Sequence, residues 1–339
     1  MKLSFFDYHL DPSKIAQHPS EKRDHSKLLR VDKNAKQAPK DYMFYDLPNL
    51  LSKGDVLVIN NTKVIAARLF GIKVSTDAHI ELLLLDEVEK NVYQALTKPA
   101  KKIAVDDVIM LSDTFKMRCL EIKEDGIRVY EMIYEGILIE QLELLGKLPL
   151  PPYVKEINDD GRYQTIYAKH LGSSAAPTAG LHFTDDIFHT LKQKGIDIIE
   201  ITLHVGLGTF KPVQIDDITK HHMHEETYMI SQDAAHQLNQ AKQDGKRIIA
   251  VGTTSLRTLE SNMNNHIFHA GTFQTSIFIY PGYTFKAIDG LITNFHLPKS
   301  TLLMLVSAIT ERKYMLSCYQ HAIDHDYRFF SFGDAMLIL

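Results

Sequence analysis

The residues best suited to chemistry include a dense ionisable segment, His221–Glu226, with three histidines and two glutamates. Imidazoles and carboxylates together can bind zinc or act as general acid and base. The segment lacks the His-Glu-X-X-His pattern of a helical zinc site, and no cysteine or aspartate completes a ligand set at the usual spacing. We predict proton transfer or substrate contact here, with Glu226 as a candidate catalytic residue and no metal. A zinc site is the alternative.

The segment His204–Phe210 follows a predicted strand and holds two glycines, Gly206 and Gly208. It is not a dinucleotide-binding motif, because the third glycine is missing. A tight loop without a ligand would explain the segment almost as well as a substrate site. We place His204 among the candidates for proton transfer and the two glycines among the candidate substrate-binding residues.

The segment Ile248–Arg257 has the form of a strand that turns at Gly252 into a helix. In open α/β sheets, ligands bind at the carboxyl ends of strands, where the following turn exposes backbone N–H groups. Ser255 could cap the helix, and Arg257 could pair with a carboxylate or a phosphate. A purely structural turn is the alternative. The candidate substrate-binding residues here are Thr253, Thr254, Ser255 and Arg257.

The segment Gly172–Thr184 consists of small, nearly uncharged residues. Such a loop lets a ligand approach the backbone closely, and loops of this kind lie over sites more often than in cores. Its polar side chains predict contacts to substrate, and a plain connecting loop is the alternative. The candidates are Ser173, Thr178 and Gly180 for substrate binding and His182 for proton transfer.

The elements that must position these segments alternate between strand and helix after residue 153. Strand patterns cover 196–205, 247–251, 276–280 and 291–295, and helical patterns begin after Thr184 and cover 232–243, 256–263 and 299–310. Alternation of this kind predicts an α/β fold with a mainly parallel sheet and helices. Residues 55–59 form another buried-strand pattern, so we assign 1–63 and 149–339 to one discontinuous catalytic domain.

Residues 64–148 have a different character, with short apolar or alternating runs separated by turn residues. Several short strands at this spacing predict a small antiparallel barrel or sandwich. Three prolines within Leu148–Tyr153 make a stiff boundary. We therefore predict that 64–148 is an inserted antiparallel β-barrel domain.

Composition limits the class of protein. The 339 residues carry a net charge of −4, which argues against a general nucleic-acid binder, although residues 1–40 hold nine Lys or Arg against five Asp or Glu. Lys98, Lys101 and Lys102 form a second basic cluster. Two cysteines provide neither a disulfide framework nor a zinc site. No secretory signal or membrane span is present, so we expect a cytoplasmic protein without a membrane partner.

Several of these segments match a known family. Ala175–Phe183 resembles the hallmark motif of the S-adenosylmethionine:tRNA ribosyltransferase-isomerases of queuosine biosynthesis. The resemblance runs nearly end to end, and so many long motifs in one order argue against a chance match. The other matching segments are Arg23–Asp24, Leu28–Leu29, Leu148–Tyr153, Tyr163–Tyr167, Thr202–Phe210, Ala250–Arg257, Tyr280–Tyr283, Thr293–Thr301 and Tyr327–Phe330.

The resemblance implies a specific reaction. Such enzymes transfer and isomerise the ribosyl moiety of S-adenosylmethionine onto 7-aminomethyl-7-deazaguanine at the tRNA wobble position. The product is epoxyqueuosine in tRNA, and adenine and methionine are released. S-adenosylmethionine is consumed as a substrate, so we expect no cofactor, and we expect a monomer. The family fold is an α/β domain with an inserted β-barrel, in agreement with the pattern of strands and helices.

This chemistry needs a base that removes a proton from ribose C5′ and an acid that helps adenine to leave. The proton-transfer candidates are His182, His204, Glu226 and His296, which the sequence does not rank. The aminomethyl group must be neutral to attack, which favours a dry pocket such as the Ala175–Phe183 loop. Arg257 is the candidate for the methionine carboxylate or a tRNA phosphate, and Asn294 is a further substrate-binding candidate.

The chain departs from the family pattern at three places. Asn60-Asn61-Thr62-Lys63 stands where the family usually has Asn-Asp-Thr-Arg, and lysine lacks the planar fork of arginine. Asp77-Ala78 replaces a glycine pair, and Glu225 replaces a serine.

Two other functional classes stay open. A methyltransferase of α/β type would need a glycine fingerprint that the N-terminal region lacks. A non-catalytic RNA-binding protein would leave the clustered His, Glu and Arg unexplained.

Overall fold

The computed structural model of the chain describes residues 1–124, 126–150, 153–154, 160–206 and 215–339. By its internal contacts the chain divides into two compact units. The α/β unit comprises Met1–Lys63, Tyr153–His170 and Ala176–Leu339, and the barrel unit comprises Val64–Pro152 and Leu171–Ala175.

A large mixed sheet is the framework of the α/β unit. Its strands, in spatial order, are β15 (Gly271–Thr275), β13 (Glu226–Ile230), β12 (Asp197–Leu203), β3 (Val56–Asn60), β14 (Ile248–Val251), β16 (Gly290–Asn294), β17 (Ala335–Ile338), β1 (Lys27–Val31) and β2 (Lys40–Met43). β12, β3, β14 and β16 form a parallel block, and β17 and β1 are also parallel. The other pairings are antiparallel.

Helices connect these strands, and three of them begin at a capping hydroxyl. Thr184, Ser231 and Ser300 each accept a hydrogen bond from an N–H group three residues further on. None of the helices within the described residues is long and apolar enough to cross a membrane. The helices of this unit are α1 (Leu47–Leu50), α3 (Asp185–Gln193), α4 (Gln232–Gln243), α5 (Gly252–Asn262), α6 (Thr301–Ile309) and α7 (Arg312–Asp324).

The core of the α/β unit lies against the parallel block. β3, β14 and β16 are buried along their whole length, which explains why their sequences are continuous apolar runs. Leu57 and Ile59 of β3 pack in one cluster with Phe183 and Ile187. The segment Ala175–Phe183, called the hallmark loop below, and the start of α3 are therefore packed in the same core as β3.

The barrel unit is a closed antiparallel barrel, which leaves no free strand edge. Along β9, the buried residues Phe115, Met117 and Cys119 alternate with exposed ones and join the barrel core. Its strands, in spatial order, are β10 (Ile127–Tyr134), β7 (Val92–Lys98), β6 (His79–Glu89), β5 (Arg68–Lys73), β8 (Val108–Ser112) and β9 (Phe115–Ile122). The helix α2 (Leu138–Leu145) follows, and β4 (Thr62–Val64) and β11 (His170–Ser173) pair in a separate two-stranded sheet.

The predicted fold class is confirmed, since the chain combines an α/β sheet with an antiparallel barrel. The sheet is more mixed than expected, because antiparallel strands flank its parallel centre. The strand predicted over 276–280 is wrong, because the strand in this region is β15. The N–H of Ile277 donates to Thr275 Oγ1 over 3.1 Å, and its carbonyl accepts from Arg257 Nε over 3.3 Å. Side chains therefore bind the backbone N–H and carbonyl of Ile277, which a β-strand would pair with a neighbouring strand.

Candidate active site

Four segments of the chain meet at the carboxyl edge of the parallel block. Asn60 ends β3, His204 follows β12, Gly252 follows β14, and Asn294 ends β16. Among the strands of the parallel block, the one that follows β3 along the chain is β12 on one side, and the one that follows β14 is β16 on the other. The connections therefore diverge between β3 and β14, the position at which open α/β sheets bind ligands.

The side chain of Asn60 connects β3 with β12 and α5 at this edge. Its Nδ2 donates to the carbonyl of Leu203 over 3.0 Å, and its Oδ1 accepts from the N–H of Leu203 over 3.0 Å. The same Nδ2 lies 3.4 Å from Thr254 Oγ1 on α5. Asn60 was not among the predicted site residues. Its position directly after a buried strand was the signal that could have identified it.

His204 lies at the end of β12 and is partly exposed. Its Nδ1 is 2.8 Å from the hydroxyl of Thr62. Burial, and then the neighbouring imidazole of His170, lower the pKa of His204 below its ordinary value. Within the described residues its Nε2 has no hydrogen-bond partner. One ring nitrogen is therefore oriented, and the other is available for proton transfer.

The hallmark loop contains the single turn of 3₁₀ helix Thr178–His182, which contacts both α5 and β16. A Cβ at Gly180 would lie 1.9 Å from the hydroxyl oxygen of Tyr167. A Cβ at Gly252, where φ is +88°, would lie 3.8 Å from Ala179. The glycine at 180 is therefore required by close packing, and the loop contacts the turn that starts α5.

His182 is held at both ring nitrogens. The hydroxyl of Thr178 donates to Asn294 Oδ1 over 2.9 Å, so the amide nitrogen of Asn294 faces His182 Nε2 at 3.0 Å. Nδ1 then carries the proton that it shares with Ser26 Oγ over 2.7 Å. Burial lowers the pKa of His182 to about 3, and its ring stacks on Phe44. The imidazole is neutral, buried and fully hydrogen-bonded.

His296 is also buried and neutral. Its Nε2 lies 3.0 Å from Thr293 Oγ1, and its backbone N–H donates to the hydroxyl of Tyr319 over 3.1 Å. Tyr8 donates to its carbonyl over 2.6 Å. Burial lowers the pKa of His296 to about 3. These bonds fix the chain just after β16.

Glu226 and Arg257 form a buried ion pair through Nη1 of the guanidinium. Arg257 does not pair with Glu260, whose carboxylate accepts from Tyr283 and from the N–H groups of residues 286–288. The Nη2 atom of Arg257 is buried without a hydrogen-bond partner in the described part of the chain. The pair thus fixes the guanidinium and leaves one donor unsatisfied.

Comparison with known proteins shows the family to which the chain belongs. The family model described as queuosine biosynthesis protein matches residues 3–338. The chain belongs to this family. A Staphylococcus epidermidis protein named S-adenosylmethionine:tRNA ribosyltransferase-isomerase is 53% identical over 342 residues and is covered, like this chain, over 100% of its length. A Finegoldia magna protein of the same name is 52% identical, with 100% of this chain and 98% of that protein covered.

A solved structure is similar as well. The crystal structure of S-adenosylmethionine tRNA ribosyltransferase from Thermotoga maritima is 34% identical to the chain, with a TM-score of 0.57. The match covers 99% of this chain and 100% of that one. The likeness extends over the α/β and barrel segments of the sequence alike.

One departure from the pattern of the queuosine biosynthesis family has a physical explanation. Asn61 Nδ2 donates to Glu200 Oε2 over 3.0 Å, and Asn61 Oδ1 accepts from the hydroxyl of Thr202 over 2.7 Å. An aspartate in this position would set a second carboxylate against Glu200, and like charges in contact repel. The amide satisfies a donor and an acceptor at once.

The remaining predicted residues fall into several environments. Thr253 is buried in the first turn of α5, and a Cβ at Gly206 would meet no atom of the described residues within 4 Å. Ser173 belongs to the barrel unit, where its hydroxyl donates to the carbonyl of Ala175 over 2.7 Å. Gly208 lies outside the described residues. The substrate-binding roles of all these residues stay predictions.

The expectation that Ser255 caps a helix beginning at residue 256 is wrong. The helix α5 begins at Gly252, because the positive φ of this glycine makes the turn directly after β14. Ser255 therefore lies inside the first turn, and its hydroxyl donates to the carbonyl of Val251 over 2.8 Å.

The histidines before Glu226 do not converge on a metal site within the described residues. His221 instead packs edge-on against Phe278, with ring centroids 5.2 Å apart. The prediction that catalysis needs no metal stays a prediction.

The basic excess of residues 1–40 is partly used within the α/β unit. Lys14 pairs with Asp326, whereas Arg23, Lys27 and Lys33 donate to backbone carbonyls. Exposed cations in the two basic segments include Lys22, Lys36, Lys40, Lys101 and Lys102. Fewer cations are available to bind a polyanion than the composition suggests.

Proposed function

We propose that this chain transfers and isomerises the ribosyl moiety of S-adenosylmethionine onto 7-aminomethyl-7-deazaguanine at the wobble position of tRNA. Adenine and methionine are the released products. Family membership over residues 3–338 carries the proposal. Three of the matching segments, 202–210, 250–257 and 293–301, meet Asn60 where the connections of the parallel strands diverge, and this supports the proposal because α/β sheets bind ligands there.

In this proposal His204 removes the proton from ribose C5′. Its lowered pKa keeps the imidazole neutral near pH 7, which is the state a general base needs. Its bond to Thr62 orients the ring, and Nε2 has no partner within the described residues. Among the four histidine and glutamate candidates, His204 combines an oriented ring with an available nitrogen and partial exposure.

His182 and His296 act as positioning residues. His182 is hydrogen-bonded at both ring nitrogens, so a transferred proton would have to displace an existing bond. His296 is bonded through Nε2 to Thr293, and burial, which lowers its pKa to about 3, opposes the protonated state that a general base passes through. Through Asn294 and Thr178, His182 instead holds the hallmark loop against β16. Such a loop offers the dry surroundings in which the aminomethyl group stays neutral and nucleophilic.

Arg257 binds the carboxylate of S-adenosylmethionine in this proposal. Glu226 occupies one side of the guanidinium and fixes its plane, and the buried Nη2 lacks a partner within the described residues. An unsatisfied buried donor costs about 1–3 kcal/mol, which a substrate carboxylate would recover. The ion pair with Glu226 therefore fixes the position of Arg257 Nη2 before the substrate binds.

We further propose a cytoplasmic monomer that uses no cofactor and binds tRNA. Exposed lysines of residues 1–40 and of the 98–102 segment supply contacts to phosphates, and an anticodon loop presents its base at low cost because that base is already unpaired.

The test uses tRNA that carries 7-aminomethyl-7-deazaguanine and S-adenosylmethionine labelled either in the ribose or in the methyl group. Ribose label should enter the tRNA, and methyl label should leave with methionine. Transfer of methyl label would show a methyltransferase. Binding of tRNA without transfer of either label would show a non-catalytic RNA-binding protein.

A further inference from the structure

A second group of ionisable side chains lies apart from the candidate active site. It consists of Asp41 on β2, His321 on α7 and His325, the capping residue directly after α7. Each offers one ligand atom, and these atoms lie within 4.8 Å of one another. No other grouping of three His, Cys, Asp or Glu of this kind occurs in the described residues. We propose that these three residues bind a divalent first-row transition metal ion, with Zn²⁺ as the probe.

The helix places the two histidines on one face. His321 and His325 are four residues apart, so their side chains project from successive turns on the same side. Their rings stack with centroids 3.9 Å apart and an angle of 18° between the planes. They also lie at the carboxyl end of α7, where the partial negative charge of the helix dipole favours a cation.

Hydrogen bonds orient the ligand atoms. His325 Nδ1 lies 2.8 Å from the carbonyl of His321, and a carbonyl can only accept, so Nδ1 carries the proton and Nε2 carries the lone pair. Metal-ligating histidines commonly donate their other ring N–H in this way. The hydroxyl of Tyr327 donates to Asp41 Oδ1 over 2.7 Å, which holds the carboxylate in place.

The spacing suits a small ion after a modest rearrangement. His321 Nε2 is 3.0 Å from Asp41 Oδ2, close to the roughly 3.3 Å between two ligands of a tetrahedral zinc ion. His325 is exposed and can rotate toward them. On binding, His321 Nε2 would give up its proton to solvent and Nδ1 would take up a proton in exchange, so that the ring binds the ion as a neutral imidazole, and water would complete the coordination. Two imidazoles with one carboxylate favour Zn²⁺, Ni²⁺ or Cu²⁺ over Mg²⁺ and Ca²⁺.

The ammonium group of Lys27 lies close to this group. Lys27 Nζ donates to the carbonyls of His325 and Asp326 over 2.7 and 3.2 Å. These carbonyls keep the ammonium on the backbone side of His325, so it lowers the affinity for a metal without occupying the ligand atoms.

The ion would join two elements at the margin of the sheet. β2 is an edge strand, three strands away from β16, and unpaired edges are weak points of a sheet. A ligand that binds only the folded state raises its stability by mass action. Metal binding here should therefore stabilise the protein while leaving ribosyl transfer unchanged.

The experiment measures Zn²⁺ binding by calorimetry, Co²⁺ binding by visible absorption, and Tm with and without Zn²⁺. We expect wild type to bind one ion with tetrahedral Co²⁺ bands and a raised Tm. His325→Gln and Asp41→Asn should each weaken this binding by about a hundredfold or more, since even indirect changes around a metal cost ten- to a hundredfold. Both positions are exposed, so the variants should fold.

Two controls separate this site from general histidine binding. His189→Gln removes a histidine of α3 whose neighbour four residues on is Gln193, and it should bind as wild type. A variant with His222→Gln and His224→Gln should also bind as wild type. Unchanged affinity in His325→Gln and Asp41→Asn, loss of binding only in the 222/224 variant, or no Zn²⁺ binding by wild type would each overturn the proposal.

Discussion

His182 and His204 lie at the carboxyl edge of one sheet and both belong to family motifs, yet their surroundings are opposite. His182 is buried, stacked on Phe44 and hydrogen-bonded at both ring nitrogens. His204 is partly exposed and bonded to Thr62 at one nitrogen. Motif membership therefore does not distinguish the histidine to which we assign positioning, His182, from the one to which we assign proton transfer, His204. The hydrogen bonds of the ring do.

Among the substitutions that test the contrast between His182 and His204, His204→Gln should have the largest effect, a loss of kcat. Glutamine can still bond to Thr62 but cannot take a proton, so kcat should fall by about 10²–10⁴-fold, the usual contribution of a general base. The free energy of unfolding should change by less than about 0.5 kcal/mol, because the side chain is partly exposed. Single-turnover rates and urea unfolding measure the two quantities.

The control for this substitution is His189→Gln, on the exposed face of α3. It should leave both the rate and the stability unchanged. A His204→Gln enzyme that keeps its full rate would remove the distinction between the two histidines.

The next effect concerns Glu226→Gln in the buried ion pair. Loss of the carboxylate leaves the Arg257 guanidinium buried and uncompensated, which costs about 3–5 kcal/mol. Urea unfolding should show this loss. The matched control is Glu225→Gln, since Glu225 is the adjacent exposed glutamate. Equal stability of the two variants would show that the pair contributes little, and a rate loss without a stability loss would return Glu226 to a catalytic role.

A smaller effect is expected for Arg257→Lys. Lysine keeps a charge for Glu226 but loses the Nη2 donor that we assign to the substrate carboxylate. We expect a loss of about 1.5–3 kcal/mol, or roughly ten- to a hundredfold in kcat/KM, mainly as a higher KM for S-adenosylmethionine. Arg247→Lys, which alters the partly exposed pair with Asp55, is the control. Unchanged KM with lowered Tm would assign Arg257 a structural role alone.

Much of the fold was predictable because its signals are local. The predicted helix over 232–243 is α4, and the predicted strand over 247–251 is β14, since the apolar pattern and the flanking turn residues lie within each segment. Strands β1, β2 and β17 were missed. β1 and β17 are defined by pairing with strands that are distant in sequence, and β2 is a short edge strand that pairs with β1. The domain boundaries proposed from the sequence stay a prediction.

The site was predictable in its location but not in its bonding. The glycine-containing turns that follow predicted strands indicated that the site lies at the carboxyl edge of the sheet. That Glu226 would meet Arg257, or Ser26 would meet His182, depends on strand order in space, which no local pattern specifies. The sequence could not rank the four proton-transfer candidates for the same reason.

The smallest expected effect tests the buried state of His182 through pH. Burial lowers the pKa of His182 to about 3 in the folded protein, against about 6.5 for an unfolded histidine. Protonation therefore favours the unfolded chain. The resulting stability is complete above about pH 6.5 and is lost as pH falls toward the folded pKa, by about 1.4 kcal/mol per pH unit. His296 adds a similar dependence.

The free energy of unfolding, measured from about pH 6.5 down to pH 5, should thus fall less steeply in His182→Asn than in wild type, by about 1.4 kcal/mol per pH unit. Contributions of carboxylates are the same in both proteins and cancel in the difference. His189→Asn, at an exposed position, should keep the wild-type slope. Should His182→Asn fold poorly, imidazole nitrogen NMR of wild type at pH 5 gives the answer directly. A protonated His182 there, or equal slopes, would show that this ring is not held neutral by its surroundings, and the contrast with His204 would lose its basis.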